Sequence, residues 1–190
     1  MKTIALAAAM ALSTTAAFAD AEKYTLDSSH SQVVFTYNHL GFSTTYGMFS
    51  GFAGDIMFDK DAPEASSVTV SIPVKSMFTG WEAREGHFFS PDFLNAADGD
   101  MVTFTSTAIE VTGDDTANIT GDLTIQGTTK PVVLAAKLNQ AGDNPLAGKP
   151  WLGFDATTSV LRSDFGLGAF APAVSDEVKI MISIEAQKAE

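Results

Sequence analysis

The sequence predicts an all-β domain, an antiparallel sheet of eight or nine strands crossed at one end by one or two short helices. Such a sheet must close on itself or pack as a sandwich to hide its edges. Two observations carry this. Apolar residues return at every second position in segment after segment, a period that no helix can use. The breaks between segments are short and carry turn chemistry. One stretch lacks the alternation, and it supplies the helices.

The elements follow in order. Tyr24 to Asp27 is a short first strand, and in Gln32 to Leu40 the residues Val33, Phe35, Tyr37 and His39 share one face. Gly47 to Phe58 reads as one strand that is apolar on both faces, with Met48, Phe52, Ile56 and Phe58 on one and Phe49, Ala53 and Met57 on the other. At 12 residues it would span about 40 Å. After the turn Asp59-Lys60-Asp61-Ala62-Pro63, Val68, Val70, Ile72 and Val74 alternate with Thr69 and Ser71. Met77 to Asn95 has no alternation; Ser90 followed by Pro91 suggests a helix N-cap with proline at the first helical position. Met101 to Val111 and Ala117 to Ile125 flank the turn Gly113-Asp114-Asp115. The second of these turns around Gly127 and returns as Val132 to Leu138, a β-hairpin. Pro131 lacks a backbone N–H and is expected where the returning strand begins. Beyond Gly142-Asp143-Asn144-Pro145 come Leu152 to Leu161 and Val178 to Glu185. In the last, Val178, Ile180, Ile182 and Ile184 face away from Lys179, Met181, Ser183 and Glu185.

The first 19 residues stand apart. Lys2, the apolar run Ile4 to Leu12 and the small-x-small pattern Ala17-Phe18-Ala19 predict a secretory signal peptide cleaved after Ala19. A buried or amphipathic N-terminal helix is the alternative reading. Export implies a periplasmic protein, with residues 20–190 forming one domain. With no cysteine, that domain is held by its core rather than by disulfides. Losing Lys2 with the leader leaves 10 basic residues against 23 acidic ones, a net charge of −13. So acidic a chain is repelled by phosphate backbones, which excludes nucleic acid as a partner.

The candidate chemistry is apolar. Phenylalanine occurs 14 times, with a local cluster at Phe78, Trp81, Phe88, Phe89 and Phe93. Eight-stranded barrels lie at the size where side chains either fill the interior or leave room for one small ligand. Each aromatic is therefore either a core plug or a cavity wall, and Gly47–Phe58 is either a strand buried under the helices or the lining of a lipophilic cavity. There is no Gly-x-Ser-x-Gly elbow and no His-Glu-x-x-His helix. His30 and His39 have opposite parity, so a regular strand would not bring them to one metal, and no metal site is expected. Arg84 and Arg162-Ser163-Asp164 are notable because basic residues are scarce. They read either as surface or capping pairs or as a headgroup contact or buried latch at a barrel mouth. Two further classes stay open: an enzyme using His39, Arg84 or Asp164 on a lipophilic substrate, and a ligand-free interaction protein with a filled barrel.

Taken together, the residues resemble the YceI-like family of exported polyisoprenoid-binding proteins. The matching pieces are Tyr24-x-Leu-Asp-x-x-His30-Ser31, Val34-x-x-x-x-His39 and Gly47-x-Phe-x-x-Phe-x-Gly54. They continue with Thr79 to Phe88 containing Arg84 and His87, Gly121-Asp-Leu-Thr-x-x-Gly127-x-x-Lys-Pro-Val132 and Arg162-x-Asp-Phe-Gly166. The resemblance implies an eight-stranded antiparallel lipocalin-like β-barrel whose interior holds a long isoprenoid chain, such as a quinone tail, with no catalytic residues and no other cofactor. Its cavity wall or mouth is then expected at Phe35, Tyr37, His39, Phe49, Phe52, Phe78, Trp81, Arg84, Phe88, Phe89, Phe93, Phe104, Arg162 and Phe165. The partners expected are that lipid and a membrane with which it exchanges; a homodimer is left open. Glu85, Phe88 and Asp98-Gly-Asp-Met depart from the family's usual residues, which implies a helical cover adapted to a different chain length or headgroup.

Overall fold

The computed structural model describes residues 21–190; the expected signal peptide and its cleavage site lie outside them. The strands are β1 (Glu22–Leu26), β2 (Gln32–His39), β3 (Ser43–Phe49), β4 (Ala53–Phe58), β5 (Ser67–Pro73), β6 (Met101–Gly113), β7 (Thr116–Ile125), β8 (Thr128–Asp143), β9 (Pro150–Leu161) and β10 (Glu177–Lys188), with one helix, α1 (Glu82–Phe89), between β5 and β6. Four of these strands make two staves. β1 and β2 lie end to end along one edge of β10, with Leu26 opposite Ala186 and Gln32 opposite Ser183. β3 and β4 do the same against them, β3 on β2 and β4 on β1. The pairing of β1 with β10 closes the ring, so the protein is an eight-stranded antiparallel barrel.

The joints inside the staves explain why Gly47–Phe58 is apolar on both faces. It is not one strand. β3 ends at Phe49 and β4 begins at Ala53, and Gly51 at the joint has φ +69°, a left-handed conformation that costs glycine little. The joint shifts the alternation by one residue. Phe49 therefore faces the interior together with Phe52, Ile56 and Phe58, while Met57 on the opposite parity from Ile56 is 37% exposed. The neighbouring stave shifts phase in the same way across Asp27–Ser31, from buried Tyr24 and Leu26 to buried Val33, Phe35 and Tyr37. Bulges repeat the device in β6, between Ser106 and Ala108, and in β8, between Leu138 and Gln140. Each bulge inserts an unpaired residue, bends its strand and resets which parity faces inward.

The hairpin forms as its turn residues require. Ile125 pairs with Thr128, and Gln126 and Gly127 between them have φ +47° and +75°, the two-residue turn whose twist matches the strands. Three local expectations are corrected. Pro131 is not at the strand start but inside β8, opposite Asp122, where β8 has β7 as its only neighbour and a missing donor is tolerated. Val74 does not end β5; it opens a 3-10 turn, Val74–Ser76, and is fully buried. Ser90 does not start a helix. It is the C-cap of α1, because Pro91 cannot continue the hydrogen-bond ladder, and its buried hydroxyl has no protein partner.

α1 crosses the end of the barrel where β5 stops and β6 starts. The β7–β8 turn is at the same end, where its Gln126 Nε2 donates to Asp100, just before β6, at 3.3 Å. The main core cluster is the barrel body, around Tyr24, Leu26, Phe52, Ile56, Phe104 and Leu152. A second cluster, built on Phe35, Tyr37 and Met77 with Phe49, Phe88, Phe89 and Leu94, joins α1 to the barrel.

Candidate functional site

The inward stripes do not meet in the middle. They surround a cavity of about 490 Å³ that runs most of the barrel's length. Its wall is mostly aliphatic on β5 to β10, where Val70, Ile119, Leu123, Leu134, Ile180 and Ile182 are joined by Phe104 and Phe154, and richer in aromatics on the first two staves. Polar residues collect at the end away from α1, where Lys60, Ser66, Ser67, Asp114, Asp115 and Thr116 border the opening. Lys60 is paired with Asp61 at 2.6 Å and Lys137 with Asp115 at 3.8 Å. A cavity of this size with apolar walls and few polar groups is built to hold an apolar ligand.

Of the residues expected at the site, Phe35, Phe49, Phe52, Phe88, Phe93, Phe104, Arg162 and Phe165 line the cavity. Tyr37, His39, Phe78, Trp81, Arg84 and Phe89 do not. Tyr37 is buried against Phe88, their ring centroids 5.8 Å apart, and Phe89 packs in the same cluster. His39 has the inward parity, but its stave overruns the cavity. It is exposed beyond the cavity at the α1 end, bridging to Val174 through the backbone. Phe78 is held by a backbone bridge to Met48 and is 60% exposed. Trp81 lies outside α1 with the Arg84 guanidinium 5.6 Å from its ring centre. Arg84 also donates to the Thr79 carbonyl at 3.2 Å, and Glu85 accepts from the Thr79 N–H at 2.7 Å, so both bind the helix to its own leading segment.

Arg162 lines the cavity, yet its donors point elsewhere. Nε donates to the Ser175 carbonyl at 3.0 Å, Nη1 to those of Leu167 and Ala169 at 2.6 and 3.1 Å, and Nη2 to that of Val174 at 2.9 Å. Burial pulls its pKa down, against Asp176 and Tyr37, which act the other way. Of the readings open for this arginine, the latch is the one built: it ties the loop 167–175 to the barrel. The unusual residues near the cover are likewise structural. Asp98 pairs with Lys75 at 2.6 Å, and Asp100 accepts from the Ala97 N–H at 2.8 Å.

Among the described residues one cluster brings metal-ligating types together: Asp27, His30 and Glu185. It does not involve the pair His30 and His39. Its carboxylates already accept hydrogen bonds, Asp27 from the Ser29 hydroxyl at 2.7 Å and Glu185 from the Trp151 indole at 2.8 Å, and Asp27 also lies 2.6 Å from His30 Nδ1. The cluster fastens the β1–β2 joint to β10. What sequence reasoning missed is the aliphatic wall. Ile119, Leu123 and Val178–Ile184 are legible as dry faces, but alternation alone does not say that they line the same cavity.

A YceI-like domain is matched over residues 24–186, nearly all of the described barrel. The chain belongs to the YceI-like family. It is 43% identical over 159 residues to Protein YceI of Escherichia coli O17:K52:H18, covering 84% of this chain and 82% of that one. The crystal structure of Burkholderia cenocepacia BcnA superposes with a TM-score of 0.75 at 26% identity, over 84% of this chain and 98% of that one. A polyisoprenoid binding domain from Saccharophagus degradans has the same fold, with a TM-score of 0.68 at 14% identity over 87% of this chain and 98% of that one. The YceI-like barrel thus carries its cavity within the matched domain.

Proposed function

We propose that the protein is a non-catalytic periplasmic carrier or buffer that holds the tail of a long-chain polyisoprenoid lipid, such as an isoprenoid quinone, inside its barrel. The observation that supports this most is the continuous apolar lining of a cavity enclosed by a closed sheet. The polyisoprenoid binding of the Saccharophagus degradans domain, on the same fold, agrees with it. The groups that an enzyme would use do not converge: His39 stands exposed beyond the cavity at the α1 end, Arg84 sits on Trp81, and Asp164 is exposed outside the interior cavity.

The energetics suit exchange. Each buried methylene favours the cavity over water by about 0.8 kcal/mol, so a prenyl chain does not leave for solvent. A bilayer is equally apolar, so transfer between membrane and barrel is near balance and the lipid can be passed on. Protein purified from periplasm, analysed by native mass spectrometry and organic extraction, is expected to carry a prenyl lipid in about one-to-one ratio. Protein that retains no prenyl lipid, and acquires none from lipid vesicles, would remove the basis of this reading.

A further inference from the structure

The ladder between β8 and β9 stops short. It runs from Asp143 opposite Pro150 to Ala135 opposite Thr157 and goes no further, although both strands continue. Over Thr128–Leu134, β8 is paired only with β7; over Thr158–Leu161, β9 is paired only with β10. Pro131 lies in the unzipped part and has no N–H with which to extend the ladder. The 3-10 turn Arg162–Phe165 caps this fork. A groove of about 530 Å³ lies along it on the outside, and Val132, Thr158, Val160 and Phe165 line both that groove and the interior cavity. Phe165, 4% exposed, is the wall between the two. Val133 and Leu161 form the apolar part of the outer lips, 50% and 44% exposed, and Lys130, Ser159 and Asp164 border the groove beside them.

We propose that this seam is a side entrance to the barrel, with Phe165 as its door, through which a polyisoprenoid chain passes between membrane and cavity. The proposal rests on the lipid-binding reading above. Both ends of the barrel are worse routes. At the α1 end the path is filled by Phe35, Phe88 and Phe93, whose rings pack edge to face. At the other end an apolar tail would pass Lys60, Asp114 and Asp115. Parting β9 from β10, paired along the whole span from Leu161 to Trp151, would break one backbone hydrogen bond after another. Opening the fork breaks no strand pairing and needs the Phe165 side chain to swing, with the Arg162 hydrogen bonds to the loop 167–175 left in place. A chain entering sideways also keeps apolar contact along its length.

The full chain has no cysteine, so a thiol pair can be placed at will. Val133→Cys and Ser159→Cys would face each other if the ladder continued, and a cleavable bis-maleimide then staples the seam. Uptake of a prenylated benzoquinone from phosphatidylcholine vesicles, read by quenching of tryptophan fluorescence, is expected to slow about tenfold or more and to recover when the linker is cleaved. The same linker between Met48→Cys and Phe78→Cys, which pins the segment leading into α1, leaves the rate unchanged. In case the stapled pair misfolds, Phe165→Leu gives a smaller door and is expected to speed uptake several-fold. An unaltered rate in the stapled seam, a slowed rate only in the α1 staple, or a Phe165→Leu rate no faster than wild type overturns the side entrance. Wild-type protein that takes up no quinone overturns the lipid-binding reading and the entrance with it.

Discussion

Phe88 at the α1 end and Ile182 in the barrel body both line the cavity, yet they meet different surroundings. Phe88 touches three rings: Phe35 at 6.4 Å, Tyr37 at 5.8 Å and Phe93 at 5.6 Å between centroids, all edge to face. The chain of contacts runs on from Phe35 to Phe49 and from Phe93 to Phe170. Ile182 packs sideways against its neighbours in the wall, but across from it lies open cavity. The same kind of side chain is thus a plug where the barrel is crossed by a helix and a wall where it is not. A plug is held by dispersion contacts from several rings, whereas a wall facing a void lacks partners on one side.

The comparison can be broken most directly by truncation. Phe88→Ala is expected to destabilise the protein by about 3–5 kcal/mol, since it removes the hub of a packed cluster. Ile182→Ala is expected to cost less, about 2 kcal/mol, because part of its surface has no protein contact to lose. Urea denaturation of the two variants measures both values. Equal losses would mean that the body is packed as tightly as the mouth, and the cavity would then be smaller than its wall suggests.

Arg162 sharpens the same contrast from the polar side. Its guanidinium holds the carbonyls of Leu167, Ala169, Val174 and Ser175, all in the loop that lies over the α1 end. Arg162→Met keeps the stem but strands those carbonyls, and is expected to cost about 3 kcal/mol. Arg162→Lys keeps the charge on a point donor that reaches fewer of them, and is expected to fall about midway. Hydrogen exchange localises the effect: protection is lost over residues 167–175 in both variants and retained in β5 to β7. Loss throughout the barrel would mean that mouth and body unfold as one unit.

How far the sequence carried these distinctions depends on the range of the signal. The hairpin from Gly121 to Val132 and the stripe Val178–Ile184 were legible because alternation and turn chemistry are local. The joints are less legible, although they leave a trace. Phe49 and Phe52 are three residues apart and both face inward, which an unbroken strand forbids. Gly47–Phe58, apolar on both faces, was therefore a phase shift and not a strand buried on two sides. Arg162 could be flagged as scarce, but nothing local says that its partners are main-chain carbonyls up to 13 residues away. His39 shows the converse error. Its parity was right, and only the length of the stave relative to the cavity put it outside. Plug and wall could not be told apart at all, since that depends on what stands opposite.

The junction between the two regions offers the smallest effect and the most specific pH signature. At the β1–β2 joint, His30 Nδ1 lies 2.6 Å from Asp27 Oδ2, and the Ser31 hydroxyl donates to the Asp27 carbonyl at 2.7 Å while accepting from the Glu185 N–H at 3.4 Å. Burial pushes the Asp27 pKa up, but hydrogen bonds from His30 and Ser29 outweigh it and hold the carboxyl below its ordinary value. The hydrogen bond to Asp27, its charge and the more distant Glu185 raise the His30 pKa. The raised histidine contributes stability that is complete below its ordinary value of about 6.5 and is lost as pH rises through the folded-state value. The lowered aspartate contributes stability that is complete above its ordinary value of about 3.9 and is lost as pH falls through the folded-state value. The melting temperature of wild type over His30→Gln is therefore expected to show its widest margin between about pH 3.9 and 6.5, narrowing on both sides. The imidazole is well exposed to solvent, which screens the pair and keeps the margin below those of Phe88 and Arg162. A margin that stays constant from acid to alkaline pH would show that His30 supports the joint by its shape and hydrogen bonding alone, without its charge.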